Sequence, residues 1–176
     1  FNMPSIQSKA INVLLRLMRM KRTVNRMRQR VESGERTYSE PSKRVHRKHL
    51  ISQHTVDGHL VWTIAPKQNA SEKHVIYLHG GAYVNSFAPQ HWDFMSKLVQ
   101  LSNCTVIAPN YPHAPEHNVH DVFAFMLPLY NELAARAGSA NITLMGDSSG
   151  GGISLALAQR LREDGHEQPG HVVLLS

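Results

Sequence analysis

The chain predicts an α/β protein with a mostly parallel, doubly wound sheet, and three observations carry that expectation. Short apolar, β-branched runs at 75–78, 105–108 and 142–145 alternate with segments whose apolar residues fall at helical spacing. Each of those runs gives way to a loop of unusual composition. One of these loops, Gly146-Asp147-Ser148-Ser149-Gly150-Gly151-Gly152, is a turn that only small residues can make between a strand and a helix. Alternation of this kind places helices on both faces of a sheet and reactive groups at the C-terminal ends of its strands.

The length of 176 residues suits one domain with a substantial core. Its charge is uneven: the first fifty residues hold 13 Lys/Arg against 3 Asp/Glu, and the remainder 6 against 10. The basicity therefore belongs to an N-terminal segment, residues 1–48, and the body at 49–176 is not expected to bind nucleic acid. Within that segment Ile6, Ala10, Val13, Leu17, Met20, Val24, Met27 and Val31 follow a three-then-four spacing, which predicts one long amphipathic helix or two shorter ones. Its charged face is read as solvated, with an anionic membrane or a protein partner as the other readings. Arg16 and Arg19 interrupt the apolar stretch, so neither a membrane span nor a signal-peptide core is expected. Cys104 is the only cysteine, which excludes an internal disulfide and suits a reducing compartment, the cytoplasm.

Residues 34–47 read as a linker or an irregular crossing segment. The body opens with two β-rich runs, 49–56 and 59–65, separated by Asp57-Gly58, a strong hairpin signal. A strand at 75–78, a helix near 90–101 and a strand at 105–108 follow. The pattern then gives a helix over 119–137 that Pro128 could kink, a strand at 142–145, a helix over 149–162 and a last strand at 171–175. Three loops thereby meet at one sheet edge: His79-Gly80-Gly81-Ala82, Asn110-Tyr111-Pro112-His113-Ala114-Pro115-Glu116, and the turn around Ser148. A serine at the apex of such a turn projects its hydroxyl beyond the strand, beside a helix N-terminus that favours developing negative charge. The glycines after residue 78 let backbone N–H groups approach a ligand.

In these residues the chain resembles the hormone-sensitive-lipase-like family of α/β-hydrolases, bacterial esterases and lipases included, from about Ser71 onward. The likeness rests on Tyr77-Leu78-His79-Gly80-Gly81-Ala82-Tyr83, on Tyr111-Pro112-His113-Ala114-Pro115-Glu116-His117 and on Gly146-Asp147-Ser148-Ser149-Gly150-Gly151. Ala82 stands where the family usually has a third glycine, and His113 where it often has a hydrophobic residue. The resemblance implies a serine hydrolase acting on carboxylic esters of short to medium acyl chains, without a cofactor. It makes Ser148 the nucleophile, and the N–H groups of Gly81, Ala82 and Ser149 the oxyanion hole. It gives His79 and Asp147 structural places, and the N-terminal helices a role as a cap over the pocket. Tyr83, Phe87, His91 and Trp92, near the mouth, could line the substrate pocket or pack in core and rim; Tyr83, His91 and Trp92 are taken as candidates for substrate binding.

The family's triad runs serine, acid, histidine along the chain. After Ser148 come only Glu163, Asp164, His166, Glu167 and His171, at or beyond the far end of a helix and roughly 20 Å away at about 1.5 Å per residue. None can reach the serine as a base. The expectation is a C-terminally truncated chain, its triad completed by the rest of the same polypeptide as partner. A homo-oligomer stays open. His113, His117 and His120 lack supporting cysteines or an acidic cluster, so no metal site is expected. Two other readings stand beside the esterase: a non-catalytic relative binding small molecules in the same pocket, and an interaction protein working through the basic N-terminal helix.

Overall fold

A computed structural model describes residues 36–176 and, before them, only Asn25, Gln29 and Ser33. The helix expected over 6–31 lies outside the described residues, apart from Asn25 and Gln29, which are helical. Thr37–Ser176 forms one compact unit.

Residues 36–42 of the stretch read as a linker or crossing segment are irregular and cross to residues 86–87 through Ser39 N–H on Phe87 O and Ser86 N–H on Thr37 O, but a short helix, α1 (Lys43–Lys48), follows, which corrects the expectation there. Ser42 caps it by accepting the Val45 N–H, and Val45 is its one buried residue. Next come β1 (His49–Val56) and β2 (His59–Pro66), an antiparallel hairpin with Val56 opposite His59. Asp57 and Gly58 both take positive φ, as a tight two-residue hairpin turn demands.

The remaining elements alternate: β3 (His74–Leu78), α2 (Pro89–Ser102), β4 (Thr105–Pro109), α3 (Val119–Ala137), β5 (Ile142–Asp147), α4 (Ser149–Glu163) and β6 (His171–Leu175). Helix α3 runs on through Pro128. Asn118 caps it by accepting the His120 N–H, while Asp121 accepts the Asn118 N–H. The six strands lie in the order β1-β2-β4-β3-β5-β6. The pairings of β4 with β3, β3 with β5 and β5 with β6 are parallel, whereas β2 meets both β1 and β4 antiparallel.

Alternation along each strand divides the core between two faces. Val61, Ile76, Leu78, Ile107, Ile142 and Leu144 point to the face that packs against Phe125, Met126, Leu129, Ile153 and Leu157 of α3 and α4. Trp62, Ile64, Val75, Tyr77, Val106 and Ala108 point to the other, against Trp92, Met95 and Val99 of α2. Chain order reverses around β3, which pairs with β4 on one side and β5 on the other, so their C-terminal ends form the switch point where such sheets bind ligands.

Leu144, fully buried on the central strand β5, tests the core. Leu144→Ala is expected to cost about 3 kcal/mol, from lost transfer energy and the cavity left behind, read as a shift in urea midpoint at unchanged m-value.

Candidate active site

Between the end of β5 and the start of α4, Ser148 has φ 50 and ψ −119, a strained backbone for any L residue. Two hydrogen bonds hold it there. Its N–H donates to Leu175 O on β6 (2.9 Å), and its carbonyl accepts the Gly152 N–H (3.2 Å). The turn closes because two neighbours lack side chains: a Cβ on Gly146 would collide with the Gly150 backbone, and one on Gly150 with the Leu78 carbonyl. Ser148 itself is exposed.

The loop after β3 is fixed as firmly. Gly81 O accepts the N–H groups of Val84 (3.1 Å) and Asn85 (3.0 Å), which sets the plane of the Gly81–Ala82 peptide. Ala114 N–H donates to Tyr83 O (2.9 Å), tying this loop to the one after β4. Among the described residues the N–H groups of Gly81, Ala82 and Ser149, expected as oxyanion donors, make no hydrogen bond within the protein. Ala82 has φ 53 and Tyr83 φ 65, so the alanine standing in place of a third glycine sits in the left-handed region.

Asp147 faces this loop. Its Oδ1 accepts the Gly80 N–H (2.9 Å) and the Tyr77 hydroxyl (2.6 Å), and its Oδ2 lies 3.6 Å from His91 Nε2. Burial, then the hydrogen bond to Asp147, pushes the Tyr77 hydroxyl well above its ordinary pKa, keeping it a donor. His79 is buried, stacked on Tyr111 (ring centroids 4.5 Å) and beside Phe87 (4.3 Å). Burial lowers its pKa to about 4, so it is neutral. Its carbonyl accepts the Tyr111 hydroxyl (2.7 Å).

The candidates for substrate binding separate. Tyr83, half exposed, lines an apolar cavity of about 420 Å³ together with Tyr111, Val119, Gly152 and Ile153. His91 lines a smaller groove with Gly80, Gly81 and Asp147. Trp92 is 1% exposed; it packs between Trp62 and Phe87 and donates its indole N–H to Ser39 O (2.8 Å), a core position. Phe87 is likewise core. The sequence reading missed Val119, Val122, Phe123 and Ile153 as cavity walls, although their helical spacing marks them as apolar faces of α3 and α4.

The acids and histidines after Ser148 stay away from it. Asp164 pairs with Arg160 (2.7 Å), and His171 sits opposite Thr143 at the other end of β5, about 16 Å from Ser148 at roughly 3.3 Å per residue. His113 is buried against Tyr111, while the His117 ring meets His59 and lies 3.7 Å from Asp121. No helix among the described residues is long and apolar enough to cross a membrane.

Residues 75–176 match the model of a family described by its alpha/beta hydrolase fold, and the chain belongs to that family. It is 34% identical over 123 residues to a triacylglycerol lipase of Mycobacterium tuberculosis, an alignment covering 69% of this chain and 28% of the lipase. It is 31% identical over 109 residues to the gibberellin receptor GID1 of rice, covering 57% of this chain and 31% of the receptor. The metagenomic hormone-sensitive-lipase homologue EstE7 superposes with a TM-score of 0.66 at 28% identity, over 72% of this chain and 44% of that one. The chain thus spans less than half the length of these relatives.

Two outcomes are expected from this geometry. Ala82→Gly relieves a left-handed alanine, so the denaturation midpoint should rise by the equivalent of up to about 1 kcal/mol. Because folding holds the His79 pKa below its ordinary value, the unfolded chain takes up that proton first as pH falls, and stability drops between pH 6.5 and about 4. His79→Phe should make that slope shallower by about 3 kcal/mol across the window, as measured by urea denaturation at several pH values.

Proposed function

We propose that the protein carrying this chain hydrolyses carboxylic esters through an acyl-enzyme on Ser148. The observation that supports this most is the exposed Ser148, held on a strained turn at the C-terminal end of β5, at the same sheet edge as N–H groups that make no hydrogen bond among the described residues. A general base removes the Oγ proton as the oxygen attacks the ester carbonyl, and the N–H groups of Gly81, Ala82 and Ser149 receive the resulting oxyanion. The tetrahedral intermediate collapses, the alcohol leaves with the proton, and water hydrolyses the acyl-enzyme by the same steps. The base and its acid come from the polypeptide outside these 176 residues, a reading supported by the distance of His171 and by the share of each relative that the chain spans. The cavity beside Tyr83 and Gly152 takes the acyl or alcohol arm, and its volume and apolar walls suit short to medium chains.

A non-catalytic role in binding small molecules is the second reading, favoured by the similarity to the gibberellin receptor GID1. The two readings separate on one residue. In the intact polypeptide, Ser148→Ala should lower kcat for p-nitrophenyl esters by about a thousandfold or more without changing the melting temperature, and a phosphonate ester should label Ser148 in the parent protein. A parent protein that binds esters without turnover or labelling is a receptor, and an active Ser148→Ala variant removes Ser148 as nucleophile.

A further inference from the structure

We propose that His91, in its Nε2–H tautomer, is a positioning residue that holds Asp147 and, through it, the Gly80 end of the oxyanion loop. The proposal rests on the esterase reading for its kinetic consequence, but its structural part stands apart from that reading.

The tautomer follows from the start of α2. The Ala88 N–H donates to His91 Nδ1 (3.0 Å), and only an unprotonated ring nitrogen can accept it. A neutral ring must then carry its proton on Nε2, the nitrogen that faces Asp147 Oδ2 at 3.6 Å. Burial lowers the His91 pKa against the opposing pull of Asp147, in agreement with a neutral ring. The other titratable groups around it are His79, with ring centroids 5.9 Å apart, and Tyr77, whose hydroxyl is already bonded to Asp147.

The two carboxylate oxygens divide their work. Oδ1 accepts Gly80 N–H and the Tyr77 hydroxyl, and Oδ2 faces His91 Nε2 at 3.6 Å. The imidazole N–H dipole, on a ring side chain only 10% exposed, therefore biases the rotation of the carboxylate about its last bond by electrostatic attraction across 3.6 Å. Without it the carboxylate is held through Oδ1 alone, and the 2.9 Å bond to Gly80, next to Gly81 and Ala82, loosens. Loss of this support would misplace the donors rather than remove them, lowering kcat with little effect on KM. His91 touches neither the reacting atoms nor the apolar cavity, so it is not a catalytic residue.

A pair of substitutions separates this role from helix capping. His91→Asn places an acceptor where Nδ1 stood, keeping the Ala88 cap, but cannot reach Asp147. His91→Gln places an amide N–H where Nε2 stood and restores the donor. Both are made in the intact polypeptide, with amide hydrogen exchange at Gly80 and steady-state hydrolysis of p-nitrophenyl butyrate as readouts. The expected result is faster Gly80 exchange in His91→Asn, with kcat about 10- to 100-fold lower and KM within about twofold, and recovery of both in His91→Gln. Recovery by Asn and not by Gln would reduce His91 to a cap and overturn the proposal. Equal behaviour of the two variants, whether both impaired or both like the parent, would also overturn it. If the parent protein shows no turnover, the esterase reading fails while Gly80 exchange still decides: acceleration confined to the Asn variant supports the positioning role, and any other pattern removes it.

Discussion

A backbone twist at one residue, Ser148, sets the demands that the rest of the sheet edge meets. Holding a non-glycine residue at φ 50 and ψ −119 costs on the order of 1–3 kcal/mol, and the conformation persists only if its surroundings over-determine it. Both peptide planes beside Ser148 are pinned, one by Leu175 at the end of β6 and the other by Gly152 in the first turn of α4. The parallel register of β5 and β6, with Asp147 opposite Leu175, delivers that carbonyl to the serine N–H. Backbone-to-backbone contact at Gly146 and Gly150 then brings α4 close enough for its first turn to sit beside the hydroxyl.

The residue before the serine does opposite work. Asp147 turns its carboxylate toward β3 and gathers the Tyr77 hydroxyl and the Gly80 N–H on one oxygen. Its Oδ1 is thereby engaged with the loop, while Oδ2 faces His91. The loop is secured from the other side by Ala114 N–H on Tyr83 O, and from within by the donors on Gly81 O. Three separate anchors for so few residues explain how Ala82 and Tyr83 remain in left-handed conformations that neither would choose alone.

Elements whose signals are local were legible in the sequence. Asp57-Gly58 gave the hairpin because a two-residue turn needs positive φ at both positions, and the apolar spacing over 119–137 gave α3 despite Pro128. Helix α1 was invisible because five of its six residues are basic and Val45 alone faces the core, so no periodicity exists to be read. In the site, the glycines marked the loops, since close backbone approach leaves a compositional trace. The fate of His91 and Trp92 was not legible. They are neighbours at the start of α2, and about 100° of helical rotation sends Trp92 into the core against Trp62 while His91 faces Asp147. The stacking of Tyr111 on His79 depends on β4 lying beside β3, a fact of strand order and not of any motif.

Two hollows, one lined by the residue before Ser148 and the other by residues of the helix after it, differ in character. Gly80, Gly81 and Asp147 line the groove that contains His91, whereas Tyr83 and Gly152 line the apolar cavity. A Cβ on Gly152 would press on the Tyr83 hydroxyl, so the bare helix turn gives that ring its place in the wall. The dipoles of the groove side are committed to the loop, and the cavity side offers apolar walls with few polar groups. Under the proposed ester hydrolysis, hydrophobic burial would draw an aliphatic arm toward Tyr83 and away from His91, because desolvating the groove's polar groups for an arm that cannot bond them would be unfavourable. Orientation of the substrate would then follow from the asymmetry of the walls, while the position of its carbonyl follows from the backbone.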